Sequence, residues 1–280
     1  MKFEDSHYIG FDGIQMQMSC WIPENEKPRA LLIAIHGLGS YGLAMKNIGE
    51  YFSERGLAVF APDMRGFGHY TGLKGHVMSF DEYIEDMLNI VMQVKDRFLN
   101  QITFLFGHSL GGQHVIRYVT TYPKDVDGMI LACPAVAQSL DISYGKYAAG
   151  RLLSVLNVKR YLTNEIDLNL TTHDKEVVEA HKKDPLRFDK VTPRFGIEAL
   201  RAADRAMACA PELKIPTLVL QAGEDKLVPP EKVKAFFDGL GSPDKTWHLY
   251  DGFYHEIQNE VGKERVFTDM QAWLEKRLPT

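Results

Sequence analysis

The sequence predicts an α/β fold, a mostly parallel central sheet covered by helices on both faces and carrying an inserted helical cap. Three observations predict it. Six continuous apolar runs, "ALLIAIHG", "LAVFAPD", "ITFLFGHS", "DGMILACPAV", "PTLVLQAGED" and "KTWHLYDG", lack the alternation of a half-exposed sheet and read as strands buried on both sides. Amphipathic helical patterns separate most of them, which suits parallel strands joined by crossovers. Finally, residues 138–209 break the rhythm with a polar, helix-prone stretch that holds no convincing strand. This divides the chain into a core of residues 1–137 and 210–280 and a cap of residues 138–209.

Taken in order, residues 6–22 alternate around "FDG" and predict an edge hairpin that turns at Asp12 and Gly13. Helical patterns follow at 42–55 and 80–98, the second opened by a capping box of Ser79 and Glu82. Within the cap, "YAAGRLLSVLNV" and "FGIEALRAADRAM" put Leu153 and Leu156, then Ile197 and Leu200, at helical spacing. These residues are expected to form the cap's own core, with a lining for an acyl chain as the functional alternative.

Composition narrows the function. The 280 residues are 45% hydrophobic and 25% charged, enough to bury a full core as one α/β domain with an insertion. A net charge of -5 offers no basic footprint for nucleic acid, so no nucleic-acid partner is expected. The start, "MKFEDSHYIGFDG", has acidic residues where a secretory signal needs an apolar core, and no apolar run reaches membrane-spanning length. A cytoplasmic protein without stable membrane insertion is expected, with transient contact with lipid surfaces left open. Cys20, Cys133 and Cys209 are widely spaced and suggest neither disulfides nor zinc; no metal or cofactor is expected.

The chemistry centres on "FLFGHSLGGQ", where an apolar run turns sharply into a helical pattern with a serine at the corner. Flanking glycines let strand and helix approach closely while Ser109 is presented at the tip. A serine hydroxyl is a poor nucleophile at neutral pH and needs a base, which an acid must orient. Of ten histidines, His255 in "YHEIQNE" follows the last strand and fits a Ser, Asp, His chain order; His36, His69 and His76 are rivals, and His108 lies too close to Ser109 in sequence. The acid comes from "AGEDKLVPP": Asp225 is preferred, with Glu224 open as the alternative. Donors for a developing oxyanion are the backbone amides of Leu110, at a helix start, and Leu38, in the turn "HGLGS".

With "HGLGS", "APDMRGFGHYTG", "SFDEYIEDM", "GHSLGG", "AGEDKLV" and "YHEIQNE" in this order, nearly the whole chain resembles the α/β-hydrolase fold and, within it, the monoacylglycerol lipase and lysophospholipase-like family. The resemblance implies a triad of Ser109, Asp225 and His255, oxyanion amides at Leu38 and Leu110, and a cap over the site. It implies a serine hydrolase that cleaves esters of a single acyl chain, monoacylglycerols or lysophospholipids, through an acyl-enzyme. One stretch departs: "GFGHYTG" stands where the family usually has histidine between the glycines and a serine soon after. The rival functions are a general carboxylesterase or thioesterase on small acyl esters and a non-catalytic ligand-binding protein. A serine at the elbow excludes dehalogenase and epoxide hydrolase chemistry, which needs a carboxylate there.

Overall fold

A computed structural model describes residues 1–24, 27–137, 143–164 and 166–278. Three strands, β1 (Lys2–Ile9), β2 (Gln15–Ile22) and β3 (Ala30–Ile35), precede helix α1 (Lys46–Ser53), which a short 3-10 turn at Gly42–Met45 introduces. Strand β4 (Leu57–Pro62), helix α2 (Asp81–Arg97), β5 (Thr103–His108), α3 (Leu110–Thr121) and β6 (Gly128–Ala132) continue the alternation. Next come α4 (Tyr144–Val155), β7 (Leu162–Thr163), α5 (Lys175–Lys183), β8 (Lys190–Val191) and α6 (Pro193–Ala208). The chain closes with β9 (Thr217–Ala222), α7 (Pro230–Gly239), β10 (Lys245–Tyr250) and α8 (Glu264–Glu275).

Among the described residues the main sheet has eight strands in the order β1-β2-β4-β3-β5-β6-β9-β10. From β4 to β10 every pairing is parallel; β2 joins β4 antiparallel, and β1 joins β2 antiparallel as an edge hairpin. Every residue of β3, β4, β5, β6 and β9 is buried, as their unbroken apolar runs require. Successive side chains serve opposite faces. Leu31, Ile33 and Ile35 meet α2 and α3 through Ile90, Val94, Val115 and Val119, whereas Leu32 and Ala34 meet α1 and α8 through Phe52, Phe267 and Trp273. β10 departs from the expected double cover: its first four residues stay half-buried because it is an edge strand.

The hairpin forms with Gly13 at φ 83°, although β1 starts at Lys2, earlier than the alternation suggested. Half of the capping box is made. The Glu82 carboxylate accepts from the Ser79 amide at 3.2 Å, while the Ser79 hydroxyl accepts from the Asp81 amide instead of that of Glu82, and the helix begins at Asp81.

Between β6 and β9, the described residues of α4, α5 and α6 add no strand to the main sheet, and among the described residues the stretch forms only a two-residue β7–β8 pair of its own. The expected start of the cap at residue 138 lies outside the described residues. The internal core expected there is only partly formed. Ile197 is buried and Leu200 half-buried in α6, but Leu153 and Leu156 are exposed, as are Leu152 (61%) and Val155 (68%). One turn of α4 therefore shows solvent an apolar surface.

Candidate active site

Ser109 is the corner between β5 and α3, at φ 54° and ψ −119°. Such a backbone costs about 1–3 kcal/mol for a residue with a side chain and persists only where surrounding bonds impose it. Here the Ser109 amide donates to the Ala132 carbonyl at 3.0 Å, and its carbonyl accepts from Gly112 and Ala135 at 2.9 and 3.0 Å. The glycines of the motif are sterically necessary: a Cβ at Gly107 would lie 2.6 Å from the Gly111 carbonyl oxygen, and one at Gly111 would lie 2.3 Å from that of Ile35. The side chain at the corner is half-buried among buried neighbours.

His255 and Asp225 come from loops after β10 and β9 and meet at Nδ1–Oδ2 2.7 Å, both buried. The Asp225 carboxylate also accepts from the amides of Leu227 and Val228, each at 2.9 Å, and from Gln221 Nε2 at 3.2 Å. Glu224, the alternative acid, is exposed and has no side-chain bond to His255 among the described residues. Burial pushes the Asp225 carboxyl up, but the His255 ring and the two amides outweigh it and hold the group below its usual range. Burial likewise disfavours the His255 cation, yet Asp225 wins and the ring is raised above its ordinary value of 6.5. Gln221 escaped the sequence reading; its signal was a lone amide in an otherwise apolar buried strand, four residues before Asp225.

The rival histidines are engaged elsewhere. The Met64 amide donates to His36 Nε2 at 2.9 Å, so the ring proton sits on Nδ1 and bonds the Gly37 carbonyl at 2.8 Å. His69 pairs with Asp63 and His76 with the Thr192 hydroxyl. His108 donates from Nε2 to the His255 carbonyl at 3.1 Å, and burial beside the His255 ring pushes it down to about 4. Ser109 and His255 are thus linked through the residue preceding the serine; among the described residues the Ser109 hydroxyl makes no hydrogen bond to the His255 ring.

The turn after β3 abuts the serine, since a Cβ on Gly37 would lie 3.2 Å from Ser109 Cβ. Neither the Leu38 amide in this turn nor the Leu110 amide at the start of α3 donates to another group among the described residues, which leaves two donors beside the corner. In the departing stretch "GFGHYTG", Phe67 is buried with its ring 6.3 Å from His36 and 5.6 Å from Phe195, both edge-on. Asp63 fixes the loop by accepting from the amides of Gly42 and His69 at 2.7 and 2.8 Å.

Sheet order, elbow and loop placement define the class of protein, an α/β-hydrolase. The chain belongs to the family described as serine aminopeptidase, S33 (Hydrolase_4), whose model matches residues 26–262. It is 31% identical over 258 residues to phospholipase YtpA of Bacillus subtilis (strain 168), covering 91% of this chain and 99% of the relative. It is 28% identical to a monoacylglycerol lipase of Mycolicibacterium smegmatis (strain ATCC 700084 / mc(2)155), covering 97% and 96%. Among solved structures it is similar to the monoacylglycerol lipase of Paleococcus ferrophilus, with a TM-score of 0.82 and 27% identity over 98% of this chain and 99% of that one. The chain is accordingly a carboxylic ester hydrolase. Among the described residues no helix is long and apolar enough to cross a membrane.

Proposed function

We propose that this hydrolase cleaves esters of a single acyl chain, monoacylglycerols or lysophospholipids, with Ser109 as nucleophile. Ser109 attacks the ester carbonyl as His255 takes its proton; the Leu38 and Leu110 amides hold the oxyanion, and the alcohol leaves with the proton from His255. Water then attacks the acyl-enzyme, with His255 again as base. Asp225 keeps the His255 proton on Nδ1, so that Nε2 can accept. The observation that carries this reading is the buried 2.7 Å pair between His255 Nδ1 and Asp225 Oδ2, set beside the elbow.

For the substrate, the support is the relatives' activities together with residues 138–209, read as a cap over Ser109. A cap admits one hydrocarbon chain through a limited entrance, and each buried methylene contributes about 0.8 kcal/mol, which favours medium or long acyl groups over acetate. Contact with lipid is transient in this reading. It is supported by exposed Leu152, Val155 and Leu156 beside the exposed cations Lys146, Arg151, Lys159 and Arg160.

The test is a comparison of monooctanoylglycerol, trioctanoin and a p-nitrophenyl ester series, with an aminoacyl anilide as the peptidase control. Monooctanoylglycerol should be turned over much faster than trioctanoin, and kcat/KM should rise from acetate until the channel is full. Equal rates on the two glycerides, or a steady fall from acetate upward, would make the protein a general esterase. The pH profile offers a separate check. The neutral ring is the base and its proton affinity is raised, so kcat/KM should be lost as pH falls through a value above 6.5. An acid limb at or below that value contradicts the assignment of His255.

A further inference from the structure

The loop that carries His255 holds three acids, Asp251, Glu256 and Glu260, and the proposed chemistry uses none of them. Glu256 follows the histidine directly and is buried. Its Oε2 accepts from Asn259 Nδ2 at 2.7 Å, and its amide donates to the Thr171 carbonyl at 2.7 Å. Facing it from the insertion are Arg187, with Nη2 3.5 Å from Oε1, and His181, with Nε2 3.8 Å from Oε2. Arg187 Nη2 also lies 2.8 Å from His181 Nε2. A guanidinium can only donate, so His181 Nε2 accepts and the ring is neutral, its proton on Nδ1. On the Glu256 side of His255 the charge is therefore one carboxylate against one guanidinium.

The same turn of the insertion reaches the other side of the site. The Phe188 amide donates to the Gly39 carbonyl at 3.0 Å, and the Tyr41 hydroxyl donates to Asp184 Oδ2 at 2.5 Å. Gly39 and Tyr41 belong to the loop that carries the Leu38 amide. A Cβ on Gly39 would lie 2.8 Å from the Phe188 carbonyl oxygen, so this approach tolerates no side chain there. Meanwhile His108, next to Ser109, holds the His255 carbonyl. Loops after β3, β5 and β10 are thus tied together, and residues 184–188 supply the link between the first and the last.

We propose that Glu256, paired with Arg187 and flanked by His181, is a positioning residue for His255, and that the turn 184–188 sets the spacing between the His255 loop and the oxyanion loop. The insertion then completes the active site as well as covering it. This inference rests on the reading of Ser109, His255 and Asp225 as the catalytic set. Glu256 also acts on the ring electrostatically: its charge raises the His255 proton affinity along with that of Asp225. Burial pushes the Glu256 carboxyl up, but the Arg187 guanidinium, with the bond from Asn259, holds it below its usual range, so it stays charged. Among the described residues the other titratable groups facing His255 are His108, which burial keeps neutral, and the Cys133 thiol, which burial keeps protonated.

The experiment compares Arg187→Met, Arg187→Lys, Glu256→Gln and the double variant Arg187→Met/Glu256→Gln on p-nitrophenyl butyrate, and follows His255 by NMR titration. Each single removal should lower kcat about tenfold or more with KM within about twofold of the parent, because positioning is lost and binding is kept. The double variant should be no worse than the poorer single, and Arg187→Lys should recover part of the loss. The titrations should part in sign. Glu256→Gln removes a negative neighbour and moves the His255 titration to lower pH; Arg187→Met leaves that neighbour uncompensated and moves it to higher pH. A merely structural pair would give no such opposition. Should Glu256→Gln fail to fold because it strands a half-buried guanidinium, the double variant carries the kcat test. Folded variants with the parent kcat, fully additive losses, or titrations that move the same way overturn the inference. A parent without ester hydrolysis would overturn the catalytic reading instead, and the titrations would still decide the role of Glu256.

Discussion

Replacing Ser109 with alanine should lower ester hydrolysis by at least about 10³-fold while leaving the fold intact. The size follows from the division of labour in acyl transfer: without the hydroxyl no acyl-enzyme forms, and only the oxyanion donors and substrate binding remain to assist water. The fold survives because Ser109 serves it through its backbone. Its amide and carbonyl hold the corner to Ala132, Gly112 and Ala135, and alanine keeps all three bonds. The positive φ is equally strained in both residues, so stability should change by less than about 1 kcal/mol. Steady-state rates on p-nitrophenyl butyrate with a thermal melt of each protein check this. Near-parental turnover in a folded Ser109→Ala protein would remove the serine from the mechanism.

The second large effect is expected at the acid. Asp225→Asn should cost about 10³- to 10⁴-fold in kcat, because an amide placed opposite His255 Nδ1 can present N–H and drive the ring into the wrong tautomer. It should also move the acid limb of the profile down, since Asp225 is what raises the proton affinity of the ring. Glu224→Gln should stay within about threefold of the parent, because that side chain is exposed and the changed group has no part in the site. Measured side by side, these variants separate two adjacent carboxylates; a crippled Glu224→Gln beside an active Asp225→Asn would reverse the assignment.

Why the sequence alone left that pair open is a matter of geometry. Adjacent residues in a turn point in different directions, and the choice depends on which carboxylate meets the Leu227 and Val228 amides and Gln221, all fixed by tertiary contacts. The elbow was legible for the opposite reason. Its constraints are local: a sharp corner between a buried strand and a helix needs glycines at Gly107 and Gly111 whatever lies beyond. The central strands were legible too, because burial on both faces removes alternation. β10 read like them but is an edge, and strand order does not show in a single run of residues. In the insertion, periodicity told of helices but not of what they pack against. Leu153 and Leu156 have the spacing of core residues and yet face solvent, while Ile197, of similar pattern, is buried. The bonds of Arg187, Glu256 and Gly39 span long separations in the chain and left no periodic trace.

The most direct test of the central claim, that Ser109 is the nucleophile of an ester hydrolase, is covalent trapping. The protein is treated with a fluorophosphonate, and the adduct is counted by intact mass and located by peptide mapping. One adduct per chain on Ser109, formed in step with the loss of ester hydrolysis and absent from Ser109→Ala, is the predicted result. Full loss of activity with the label on another residue, or an active protein that never labels at Ser109, would contradict it.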